Sequence, residues 1–71
     1  MTEFEKTSIE TMEMVLLNYY NDIINALSLP NQILLKAEKD GMIEALSIMG
    51  YTVFIDVDTD LKVKAVHVQK L

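Results

Sequence analysis

The 71-residue chain contains no cysteine, no tryptophan and no arginine, and only one histidine, one proline and two glycines. Without cysteine, disulfides, thiolate metal ligands and thiol nucleophiles are excluded. That absence suits a reducing compartment without requiring one. Without arginine, and with a net charge of −5, the chain is poorly equipped to neutralise phosphates, the main source of nucleic-acid affinity. Long hydrocarbon runs are missing too. The longest apolar stretch, residues 14–29, is broken by Asn18, Asn21, Asp22 and Asn25, so no membrane span is expected. The opening Met-Thr-Glu-Phe-Glu lacks the positive segment of a signal peptide. A cytoplasmic location is therefore expected.

What remains is 51% apolar, too much for a disordered chain. Residues 1–71 should form a single domain, near the lower size limit for a core that folds without staples. The acids are uneven: residues 1–29 hold five against Lys6 alone, whereas residues 50–71 balance three aspartates with three lysines.

Two periodicities set the expected α+β fold. Ile9, Met12, Leu16, Tyr19, Tyr20, Ile23, Ile24 and Leu27 recur at steps of three and four, which predicts a helix over about 7–28. Thr7 with Glu10 has capping-box spacing, and Thr2 with Glu5 offers an earlier start. Ser28 and Pro30 then suit the start of a second helix, over about 31–49, with Gly50 as its stop. Its expected apolar face holds Leu34, Leu35, Ala37, Met42, Ala45, Leu46, Ile48 and Met49. Since Leu34, Ala37, Gly41, Ala45 and Ile48 keep helical phase through Asp40-Gly41, this helix is expected to be continuous with Gly41 on its core side. So short a connection implies an antiparallel helical hairpin.

Beyond Gly50 the period falls to two, predicting strands over about 51–57 and 61–68 joined at Asp58-Thr59-Asp60. In that register Val57 faces Leu61, Ile55 faces Val63, Val53 faces Ala65, and Asp56 meets Lys62 across the strands. The expected order is ααββ, two antiparallel helices packed on a C-terminal β-hairpin.

Phe54, Val66 and Val68, beside Thr52, then fall on the face turned away from the helices. They are the candidate interface, for a second copy or for a larger protein. Glu3, Glu5, Glu10, Glu13 and Asp22 most simply favour the positive end of the first helix. Alternatively they form an acidic surface that imitates a phosphate backbone. Glu38 is the unusual core-facing acid, placed among Leu34, Ala37, Met42 and Ala45 and opposite Tyr20, Asn21 and Ile24, where it needs a donor.

Asp56-x-Asp58-x-Asp60 looks like the start of a calcium loop, but Leu61 stands where the EF-hand glycine belongs and His67 where its last acid belongs. A turn in which Asp58 or Asp60 bonds nearby N–H groups explains it better. No metal, cofactor or small-molecule substrate is implied. His67, expected at the core border opposite Tyr51, has no nucleophile in phase with it, and Ser8, Ser28 and Ser47 belong to helices. No catalytic residue is expected.

Gly41-Met42-Ile43-Glu44-Ala45-Leu46, followed by Met49-Gly50-Tyr51 leading into a strand, resembles small uncharacterised proteins of bacteriophages and prophages of low-GC Gram-positive bacteria. The similarity spans about residues 37–57 and implies a phage accessory setting, with no active residues carried over. The expectation is a non-catalytic protein-interaction module that pairs with itself as a homodimer or binds a larger protein, without direct contact to nucleic acid. An acidic nucleic-acid mimic is the alternative. A β-ribbon reader using Lys62, Lys64 and Lys70 is the more distant one.

Overall fold

Thr2 opens the fold. In extended conformation, it accepts a hydrogen bond from the Glu5 N–H at 3.1 Å, satisfying one donor that a helix start leaves free. The computed structural model describes residues 2–60 and 62–71. They form helix α1 (Glu3–Asn25), helix α2 (Leu29–Ile48), strand β1 (Tyr51–Val57) and strand β2 (Val63–Lys70). The order ααββ is as expected. The earlier capping pair prevails over Thr7–Glu10, and Thr7 lies inside the helix, its carbonyl accepting the Thr11 hydroxyl at 2.9 Å.

Helix α1 stops at Asn25 rather than 28 because Ser28 is needed in extended form to cap α2, accepting from the Asn31 N–H at 3.4 Å. Pro30 sits in that first turn, where its missing N–H costs nothing. The Gln32 side chain donates to the Ile23 carbonyl at 3.4 Å, tying the two helices at their junction. Helix α2 runs unbroken through Asp40-Gly41. Gly50, at φ +90°, reverses the chain into β1 through a conformation that a Cβ would strain.

The β-hairpin is antiparallel but not in the expected register. Asp58 accepts the N–H groups of Asp60 (2.8 Å) and Lys62 (3.0 Å), and its own N–H donates to the Lys62 carbonyl at 2.9 Å. The turn is therefore longer than three residues, and Val57 meets Val63. Leu61, expected opposite Val57 at the head of the second strand, lies outside the described residues. Ala65 already faces Asp56, so Lys64 is an extra residue in a β-bulge. The longer turn shifts the pairing by two and the bulge adds one. An odd total turns β2 over, because side chains alternate between faces. Val68 now lies opposite Val53 and Val66 opposite Ile55.

The core is correspondingly different. Leu16 of α1, Leu46 of α2, and Val66 and Val68 of β2 form its buried centre. Ile23 is buried farther along α1. Met12, Tyr20, Met42, Tyr51 and Val53 pack around that centre, partly buried. At about 35 Å, α1 outreaches the sheet, so the helical hairpin projects beyond the strands in a molecule measuring 40 × 26 × 17 Å.

Candidate functional site

The proposed sheet patch does not survive the register. Val66 is 6% and Val68 4% exposed, both beneath the helices. Phe54 stays outside at 51%, opposite His67 and next to the half-buried Thr52. The outer face of the sheet is otherwise largely polar. Its main feature is a hydrogen bond of 2.7 Å between His67 Nε2 and Asp56 Oδ2, in place of the expected Asp56–Lys62 pair. The pair sits on an open face, and Ser8, Ser28 and Ser47 are all on or at helices.

The N-terminal acids do not share one surface. At about 100° per residue, Glu3, Glu10 and Glu13 fall within about 80°, Glu5 lies to one side, and Asp22 points nearly the opposite way. Glu13 is partly buried, and its Oε2 accepts the Val68 backbone N–H at 2.8 Å. This carboxylate closes a donor on the free edge of β2, a task that edge strands need performed. Spacing gave no sign of it, since Glu13 and Val68 are far apart in sequence. Glu5 lines an apolar pocket of about 240 Å³.

That pocket lies between the start of α1 and the end of α2, with Phe4, Ile9, Met12, Met49 and Tyr51 in its wall and the buried Leu46 and Val68 among its lining. Its only other polar member besides Glu5 is Ser8, apart from the tyrosine hydroxyl. It is smaller than the ~300–1,000 Å³ of ordinary small-molecule sites, and it suits one apolar side chain.

Glu38 is exposed rather than core-facing. Helix α2 is rotated from the expected phase, turning Leu35, Lys39, Met42, Ile43 and Leu46 inward and Glu38 toward Tyr19 of α1. The Tyr19 phenol is raised above the usual tyrosine range. The Glu38 charge is the main cause, followed by burial and by hydrogen bonding to the same carboxylate. Tyr20, expected opposite Glu38, instead lies beneath the Lys39 ammonium, 5.0 Å from its ring centroid. Lys39 also pairs with Asp40 at 3.1 Å.

Of the face expected inside, Leu35, Met42 and Leu46 do turn inward, and the rotation exposes the rest. Leu34, Ala37, Gly41, Ala45 and Ile48 all face solvent, with Leu34 57% and Ile48 80% exposed. Pro30 continues this stripe and Ile33 borders it. At its centre, a Cβ built on Gly41 would meet nothing within 4 Å. The sequence carried a signal for this: α2 has apolar residues on two faces, and one β-hairpin and one helix cover only one of them. Among the described residues, no three acids or histidines converge as metal ligands would. No helix there is long and apolar enough to cross a membrane.

Compared with protein families, curated proteins and solved structures, the chain matches none.

Proposed function

We propose that the chain is a protein-interaction module, acting through self-association or by docking on another protein. One observation carries this reading: fourteen large apolar side chains are exposed among the described residues, against five apolar residues in the core. Each apolar face of a helix is stabilised by being covered. Here α2 has an interior on one side only. The docking surface is the outer face of α2, which replaces the sheet patch of Phe54, Val66 and Val68. The resemblance carried by Gly41–Leu46 and Met49–Tyr51 extends the proposal to a phage or mobile-element accessory in the host cytoplasm. The acidic-mimic alternative lacks support, since Asp22 lies about 100° or more round α1 from Glu3 and Glu10, and Glu13 is engaged by the strand edge.

The test is affinity capture with the full chain as bait, supplemented with untagged copies of itself. The reading expects retention of either its own copies or another polypeptide by the native chain, reduced by Ile48→Glu and unaffected by Phe54→Glu. If neither is retained, or Phe54→Glu abolishes retention while Ile48→Glu does not, the reading is overturned.

A further inference from the structure

We infer that the occupant of the outer face of α2 is a second copy of this chain, packed antiparallel about a two-fold axis at Gly41. The inference rests on the interaction-module reading and names its partner.

The first argument is symmetry within the stripe. Ala37 and Ala45 lie four residues either side of Gly41, and Leu34 and Ile48 lie seven either side. Read in either direction, the face runs large, small, glycine, small, large. A two-fold interface must be self-complementary, each residue i meeting j as j meets i. Antiparallel crossing at Gly41 sets Ala37 of one copy against Ala45 of the other, and Leu34 against Ile48. Small residues at the crossing let the backbones approach closely, and the distance between packed helices follows the side chains at the contact. Leucine and isoleucine at the ends, about 21 Å apart along the helix, supply the hydrocarbon to be covered. A parallel arrangement or an unrelated partner would not call for this mirror order.

The second argument is area. The chain exposes 5161 Å², whereas a folded monomer of 8.1 kDa is expected to expose about 4,500 Å². The excess of about 660 Å² is close to the ~800 Å² that each partner contributes to a standard interface. A single additional contact of ordinary size would bring the chain to the surface expected of its mass. The same axis brings the helical turn of each copy, where Leu27 is fully exposed, to the end of the molecule at which the partner carries its apolar pocket.

Charge opposes the pairing and sets its salt dependence. Glu38 and Glu44 flank the face, and each copy carries −5 overall. Pairing then works against like-charge repulsion, and salt should tighten it.

Cross-linking tests both partner and direction, because the native chain has no cysteine. Full-length Ala37→Cys mixed with Ala45→Cys should form a disulfide-linked pair under mild oxidation. Each variant alone sets its two sulfurs about 12 Å apart along the axis, outside disulfide reach, and should stay largely unlinked, as should Phe54→Cys. A Cβ at Gly41 meets nothing within 4 Å in the fold and the position faces solvent, so Gly41→Leu should retain the native helical signal while weakening dimerisation about tenfold or more. Ile48→Glu provides a second disruption independent of the glycine. Efficient linking of Ala37→Cys to itself would overturn the antiparallel axis. A chain monomeric at every concentration would overturn the second copy altogether, while capture of another polypeptide would still decide the interaction reading separately.

Discussion

A carboxylate beside a free strand edge has a donor waiting for it, and Glu13 takes the Val68 N–H at 2.8 Å. Replacing it with alanine leaves that N–H without its charged acceptor. Glu13→Ala should therefore cost about 1–2 kcal/mol, read as a lower urea midpoint with an unchanged slope, and Glu13→Gln should lose less. Tyr19 gives a different test at the same scale. Glu38 holds its proton on, so the folded state binds that proton more tightly than the unfolded chain does. The contribution to stability is present below the ordinary tyrosine range and disappears as pH rises through the raised value. Ultraviolet titration should place Tyr19, identified by its loss in Tyr19→Phe, above ordinary tyrosine, and Glu38→Gln should lower it.

At the scale of elements, the bulge at Lys64 decides what the sheet does. Because it inverts β2, Val68→Asp should unfold the domain, whereas Phe54→Asp should leave the melting temperature within a few degrees of native. Circular dichroism melts of both variants check this, and the reverse result would restore the unbulged register. Deleting Lys64 should be tolerated, since a hairpin without the bulge pairs Val57 with Val63 and still sets Val66 opposite Ile55 and Val68 opposite Val53 on the core face. Helices, strands and their order are legible in the sequence because periodicity, Ser28-Leu29-Pro30 and Gly50 all act locally. The register is not, because the unbulged hairpin satisfies alternation too, and neither the Asp58 carboxylate that lengthens the turn nor the bulge at Lys64 that inverts β2 shows in the period. The facing of α2 is hidden for a related reason. With apolar residues on both sides, its pattern gives an axis but not a rotation, and the Lys39–Tyr20 contact that favours the observed one is ordinarily read as surface chemistry.

At the scale of the molecule, two helices and two strands enclose a thin layer, and the apolar half of the sequence exceeds what that layer can hide. Part of what is left exposed is ordered: it follows α2 from Leu34 to Ile48 with Gly41 at its midpoint. A surface of this kind should respond to concentration and to salt in the direction of association. Sedimentation equilibrium of the full chain over a wide concentration range measures this most directly. The account predicts a mass rising from 8.1 kDa to twice that value, more readily at high salt, with Ile48→Glu remaining at the lower mass while still helical. A native chain that stays at the lower mass throughout, or an Ile48→Glu chain that doubles as readily as the native one, would contradict it.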